Sequence, residues 1–345
     1  MKIVALNPDR IEAWDSFAAG HPGAHLAHRA AWFSLVRETF GYESHGLALV
    51  DPEGTLVGGL PMFDVPAGRK LTSAPFRDRG GLLLADGIDG TPLLREARAL
   101  ADRLGRDLQI RQGEPLPVPP DGMTEARHWL TSRLDLTPGP EALWRALDNN
   151  AQGPVKQARR QGVAVRIGES AADMEIFRSL FASTRRRLGV PVFPPAFFDA
   201  LHRHFVAPGL GRLLLAEVDG RPVAGLLLLF ERDTALDGYA ASLPGTAKTR
   251  ANDLLVWTAI ETACSLGKAV FDFGADSPRQ TSLLSFKRKW GAQVLPLSEY
   301  WSSPLRAADP LDNSSPVYRL VRGAVSRLPF PVYEWASRLV VARYG

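Results

Sequence analysis

Residues 271 to 293, FDFGADSPRQTSLLSFKRKWGAQ, bring carboxylates and cations within a short stretch of a 345-residue chain. Strand alternation places Phe271 and Phe273 on one face and Asp272 on the other, and Gly274 ends the strand so that Asp276 and Ser277 project from its C-terminal end. Open α/β sheets commonly place ligands at that end. A polar loop then leads to Phe286, Lys287, Arg288, Lys289 and Trp290. The two aromatics, four apart, can anchor one side of a helical turn while Lys287 and Arg288 project elsewhere. Each group also has an ordinary reading. Three cations in a row suit a solvated turn, Asp272 suits a strand carboxylate satisfied by a neighbouring backbone or arginine, and Asp276 suits a cap for the following loop.

Other polar groups stand further off. Arg185, Arg186 and Arg187 in the stretch STRRRLGVPVF form a second cluster at an expected helix end, where cations either hold an anion or offset a helix dipole. Tyr239 lies in LDGYAAS, and Asn252 and Asp253 precede the apolar LLVWTAI, where Asn252 reads equally well as a helix N-cap. No metal is expected. His202 and His204 face different ways on a helix, and His25 and His28 lack a His-Glu-x-x-His spacing. The single cysteine, Cys264, excludes an intrachain disulfide framework or thiolate cluster and reads as helix core.

The elements that must position these residues come in two copies. LALVDPEGTLVGGLPMF (47 to 63) parallels LLAEVDGRPVAGLLLLF (214 to 230), each a hairpin with a turn glycine, Gly54 or Gly220. An aromatic amphipathic helix precedes each copy, AAWFSLVRETF and PAFFDALHRHF. Downstream, ARALADRLGRDLQIR parallels AIETACSLGKAVFDF: a helix stopped at Leu-Gly, then a strand. The fold class expected is α/β (α+β), two tandem domains with mixed central sheets flanked by helices. Residues 1–150 and 151–303 are the expected halves, and 304–345 a basic amphipathic tail.

Helix, hairpin, further strand, helix, strand is the order of elements in the GNAT acyltransferase fold, and two in tandem resemble the FemABX family. The resemblance sharpens at RRLGVPVFPPAFF (186 to 198), NNAQGPVKQARRQGVAV (149 to 165) and FDFGADSPRQTSLLSFKRKWGA (271 to 292), which are similar to FemAB-like proteins, including a branch found beside exopolysaccharide gene clusters. It covers about residues 1 to 300 and a similar basic tail. It implies transfer of an aminoacyl group from aminoacyl-tRNA to an amine of a lipid- or nucleotide-linked peptidoglycan precursor. The alternative donor is acyl-CoA, for N-acylation of an amino sugar or amino acid in exopolysaccharide synthesis; a degenerate copy serving as an envelope-assembly scaffold is a third, non-catalytic reading. No tightly bound cofactor is implied.

Both transfers need a neutral attacking amine and pass through a tetrahedral oxyanion, so cations or backbone N–H groups are wanted near oxyanion and phosphate. The resemblance makes Lys287 the group that meets developing charge, with Asp272 and Asp276 as carboxylates near the amine. It puts Arg37 where some Fem proteins carry a lysine that contacts the precursor's diphosphate, although His28-Arg29 stands in place of the usual Gln-Ser. Arg185, Arg186 and Arg288 are further substrate-binding cations, and Tyr239 and Asn252 fall where a GNAT places its donor groove. An Arg/Gln-x-x-Gly-x-Gly/Ala loop for the coenzyme's pyrophosphate is absent: SLPGTAKTRANDLL has Gly245 alone.

Composition fits a folded globular chain, at 45% hydrophobic and 23% charged residues. No segment approaches the roughly 18 apolar residues of a membrane span, and the short apolar run at the start is no signal peptide, so a cytoplasmic location is expected. From Asn313 onward five arginines face Glu334 alone, a surplus equal to the whole chain's net charge of +4. The body is therefore neutral, which argues against DNA as a partner and leaves tRNA unsupported by charge. The tail, read as two short helices broken at Pro329 and Pro331, suits either packing on the body or an anionic membrane surface.

Overall fold

The computed structural model describes residues 1–117, 119–307 and 322–344. The chain forms two compact units. Unit 1 holds Met1–Trp129 with the described parts of Pro296–Asp312 and Leu339–Gly345; unit 2 holds Leu130–Leu295 with the described part of Asn313–Arg338.

Unit 1 contains β1 (Lys2–Ala5), α1 (Ile11–Gly20), α2 (Ala30–Phe40), β2 (Leu47–Val50), β3 (Leu56–Leu60), β4 (Phe63–Val65), β5 (Lys70–Thr72), β6 (Leu83–Leu84), α3 (Thr91–Leu104) and β7 (Asp107–Gly113). It also contains the first half of β8 (Thr124–Asp135). β1, β2, β3 and β6 form an antiparallel sheet, while β5 runs parallel to β7 and antiparallel to β4. The core of the unit gathers Leu47, Leu60, Leu71, Leu93, Ala97, Leu108, Ile110 and Tyr300.

Unit 2 continues with α4 (Pro140–Ala146), α5 (Asn149–Arg160), β9 (Ala164–Gly168), α6 (Ala171–Arg187), α7 (Pro195–Leu201), β10 (Gly211–Val218), β11 (Arg221–Glu231) and β12 (Thr234–Ser242). Then come α8 (Ala251–Ser265), β13 (Val270–Asp276) and α9 (Thr281–Arg288). Strands β9, β10, β11 and β12 are antiparallel neighbours, β12 is parallel to β13, and β13 pairs antiparallel with the second half of β8. The sheets are mixed and flanked by helices, as the sequence indicates. Nine residues of α8 are buried, so the helix is apolar nearly all round, as befits one inside the core. Leu254, Trp257 and Ile260 pack there with Leu226, Leu228, Phe271, Phe273 and Trp290. Cys264 packs against the same cluster, and burial raises its thiol pKa.

The repeat is visible in matching elements: hairpin β2–β3 against β10–β11, and α3–β7 against α8–β13. Gly105 and Gly267 take the left-handed conformation after their helices, at φ 62 and 68°. The compact units do not divide at 150/151 as the repeat suggests. Leu130–Asp135 pairs with β13, and Ala151, Val155 and Ala158 of α5 join the core around α8, which draws this whole stretch into unit 2.

The last strand is β14 (Gln293–Trp301), whose Ser298–Trp301 pairs with β7, and the last helix is α10 (Phe330–Tyr344). Pro331 lies in the first turn of α10, where its missing N–H costs nothing, so the break falls before Phe330 and not at Pro331. Residues 308–321, including Arg319 of the expected tail, lie outside the described residues. Within unit 2 the end of the chain is packed on α6 and the loop after it. Tyr333 Oη donates to Val190 O at 2.7 Å, Arg322 Nε to Leu188 O at 2.7 Å, and Glu334 accepts from Arg178 at 3.1 Å. No helix among the described residues is long and apolar enough to cross a membrane.

Candidate active site

Strands β12 and β13 pair over only three positions, Thr234 with Val270, Ala235 with Phe271 and Leu236 with Asp272. Beyond these they diverge, because each is irregular at that level. In β12, Leu228 pairs with Asp237 but Leu227 with Tyr239, so Gly238 is an extra residue. In β13 the register against β8 shifts between Asp272 and Ala275, where Gly274 has φ 72°. That left-handed turn suits glycine, and Asp272 fixes it by accepting the Gly274 N–H at 2.8 Å.

The turn aims two carbonyls at Lys287. The Lys287 Nζ donates to Phe273 O at 2.6 Å and to Gly274 O at 3.1 Å, and lies 2.5 Å from Asp276 Oδ2. Lys287 is 5% exposed and Asp276 2%. A lysine ammonium has three N–H groups, and here three acceptors surround it. The lysine comes from α9, which buries Leu284 and Lys287, three apart, on one side.

The run of three cations is thereby resolved. Lys287 turns inward, Arg288 is exposed, and Lys289 reaches back to Asp253 on α8 while lying 4.4 Å from the Phe286 ring centroid and 5.1 Å from that of Trp290. The two aromatics meet edge to face at 6.3 Å, as their spacing of four indicates.

Between the diverging strands lies a cleft of about 280 Å³. Leu226, Leu255, Val256, Phe273, Leu283 and Phe286 supply apolar wall, and Asp237 and Lys287 are its charged lining residues. Thr184 and Ser242 sit on its wall joined by two bonds: Thr184 Oγ1 donates to Ser242 O and accepts from Ser242 N, each at 2.9 Å. Burial, with further repulsion from Asp276 and Asp272, raises the pKa of Asp237 to about 6 against the pull of Lys287. No side chain among the described residues forms a hydrogen bond or ion pair with the Asp237 carboxylate.

The structure brings together Lys287, Asp276, Asp272 and Asn252 of the expected residues, but in altered roles. Asp272, 1% exposed, accepts from Thr131 Oγ1 at 2.9 Å and Arg133 Nε at 3.3 Å as well as from Gly274. A carboxylate so engaged is a structural anchor and no free base, the ordinary reading of its two. Asp276 pairs with Lys287, and Gln280 helps hold the turn after it, its Oε1 accepting from Ser277 N at 3.1 Å. Asn252 lines the cleft but is not the N-cap of α8, a place taken by Arg250 in the left-handed region at φ 57°.

Other expected residues fall elsewhere. Tyr239 is buried in an aromatic cluster, edge to face with Phe181, Phe193 and Phe197. The extra Gly238 turns Asp237 and Tyr239 to opposite faces of β12, since their partners Leu228 and Leu227 are adjacent. Arg185 donates to Pro191 O at 2.9 Å and lies over Phe181, and Arg186 lies over Phe330. Arg37 is exposed on α2 in unit 1. Asp237 itself is the residue sequence reasoning missed; its only signal was a carboxylate beside a glycine in an otherwise apolar strand.

Residues 145–288 match the family model of an acetyltransferase (GNAT) domain. The crystal structure of FemX is similar over 93% of this chain and 100% of its own, with a TM-score of 0.67 at 14% identity. A tandem GNAT protein from the clavulanic acid biosynthesis pathway is similar over 88% of this chain and 99% of its own, at a TM-score of 0.57 and 15% identity. The C-terminal domain (DUF2156) of a candidate lysylphosphatidylglycerol synthetase from Agrobacterium fabrum matches over 87% and 94%, at 0.57 and 14%. No curated protein sequence matches the chain.

Proposed function

Since this chain has the tandem GNAT fold of the FemABX type, we propose that it is an aminoacyltransferase forming an amide on the stem peptide of a lipid- or nucleotide-linked peptidoglycan precursor. Aminoacyl-tRNA is the donor in this reading, and its acyl group occupies the cleft of unit 2. The observation that carries the reading is the divergence of β12 from β13. It opens two strand edges onto an apolar cleft with a fixed cation at its wall. Strand edges offer backbone donors and acceptors to an extended ligand, and the small volume suits an aminoacyl group better than a long acyl chain.

In the transfer, a neutral amine attacks the ester carbonyl carbon and the C–N bond forms. The tetrahedral oxyanion then collapses, the ester C–O bond breaks, the ribose hydroxyl leaves with a proton, and the new amide nitrogen gives one up. The Lys287 ammonium is already held by Phe273, Gly274 and Asp276. Its charge therefore acts on the oxyanion from a fixed position in a poorly solvated wall, with no reorganisation during the reaction. Asp272 serves by fixing the Gly274 turn that shapes this cradle. A lipid-linked acceptor would also give a use to the exposed Val332, Trp335 and Arg338 of α10 at an anionic membrane surface.

The match to an acetyltransferase domain favours a second reading, N-acylation of an amino sugar or amino acid from acyl-CoA in exopolysaccharide synthesis. Against it stands the loop before α8. The N–H groups of Lys248, Thr249 and Arg250 donate to Gly245 and Thr246 carbonyls of the loop itself instead of facing a pyrophosphate. The test is single-turnover transfer to a UDP-linked muropeptide, and in parallel to glucosamine and a mixture of free amino acids, each offered mixed aminoacyl-tRNAs, acetyl-CoA or a longer acyl-CoA and read by mass spectrometry. A product heavier by an amino-acid residue, from aminoacyl-tRNA alone, supports the proposal. Product from a thioester alone moves the function to the second reading, and none from any donor overturns both.

A further inference from the structure

We infer that the unit 2 cleft selects acyl groups bearing a free ammonium, and that Asp237 is the residue that binds it. The inference rests on the cleft being the donor site proposed above and names the class of acyl group it takes. Two charged residues line the cleft, and they differ in one respect. Lys287 is surrounded by Phe273 O, Gly274 O and Asp276, whereas the Asp237 carboxylate has no hydrogen-bond or ion-pair partner among the described residues.

An anion left unpaired in an apolar cleft is a cost that a ligand cation removes. Asp276 and Asp272 repel Asp237, and Lys287 offsets them only in part. An incoming ammonium would relieve the burial penalty and the repulsion together. A plain acyl chain would do neither and would dry the carboxylate further. The cleft thus carries a preference by charge, independent of the length of the group it holds. Asp237 stands on the face of β12 shared with Leu228, turned there by the extra residue Gly238, so it joins the cleft because of the same irregularity that opens it.

The preference needs Asp237 ionised and the ligand protonated. It is therefore present between about pH 6, the carboxylate's value, and about pH 8, where α-amino groups lose their proton. Below and above that window it fades.

The test is calorimetric titration of the full chain at pH 7 with two stable donor analogues, the alanyl and the propionyl amides of 3′-amino-3′-deoxyadenosine, which differ in the ammonium alone. A charge-assisted hydrogen bond predicts alanyl binding about 10- to 100-fold tighter. In Asp237→Asn, nearly isosteric but uncharged, the two should agree within about threefold, alanyl binding growing weaker and propionyl binding tighter as the charge that the plain chain desolvates is removed. Equal affinities in the unaltered protein, or a preference that survives Asp237→Asn, overturns the inference and leaves the donor site standing. Failure of both analogues to bind overturns the donor reading and the inference with it.

Discussion

Replacing Asp237 by asparagine should stabilise the protein, and by an amount that depends on pH in a defined way. In the folded chain the carboxyl pKa is raised from 3.8 to about 6. Between those values the folded state binds more protons than the unfolded one, so stability falls as pH rises from about 4 to 6 and is flat above. A shift of about two units corresponds to about 3 kcal/mol, and partial access of water to the cleft lowers this to about 1–3 kcal/mol. Asp237→Asn removes the term. The variant should match the parent near pH 4 and exceed it by about 1–3 kcal/mol at pH 7.5. Urea unfolding of both proteins across that range reads the difference directly. A variant less stable than the parent at pH 7.5, or a difference that does not change with pH, would refute the claim that this is an unpaired, poorly solvated carboxylate. Such a gain from removing a functional charge is the usual trade between stability and activity.

Lys287→Met removes the ammonium paired with the buried Asp276 and should cost about 3–5 kcal/mol; combined with Asp276→Asn it should cost less, and a double-mutant cycle in urea with no coupling would contradict the pair. Gly274→Ala forces a side chain to φ 72° and should cost about 1–2 kcal/mol while lowering single-turnover transfer; no change in either would mean the Lys287 cradle does not depend on that turn. Tyr239→Phe keeps the aromatic cluster and should alter stability by about 1 kcal/mol or less and transfer by less than about threefold; a loss above about tenfold would place the hydroxyl at the chemistry.

The tandem arrangement was legible because its signals are local. Turn glycines Gly54 and Gly220 and the Leu-Gly helix stops mark the same elements in both copies, and all four glycines have positive φ. Lys287 and Asp276 were legible because one lies at a strand's C-terminal end and the other on the helix entered shortly after it. What failed was set by distant partners. The role of Asp272 depends on Thr131 and Arg133 from a strand far earlier in the chain. Strict alternation in LDGYAAS puts Asp237 and Tyr239 on one face, and only pairing with β11 reveals that Gly238 separates them. The N-cap of α8 was misread because Arg250 adopts a conformation unusual for arginine, and the division into units followed packing of α5 on α8, which repeats alone do not report.

The most direct test of the account is a crystal structure of the protein with the alanyl amide of 3′-amino-3′-deoxyadenosine. The account predicts the alanyl group between β12 and β13, with its ammonium about 2.7–3.2 Å from an Asp237 carboxylate oxygen and its carbonyl toward Lys287. Alanyl density outside this cleft, with the cleft unchanged from the unliganded state, would contradict it.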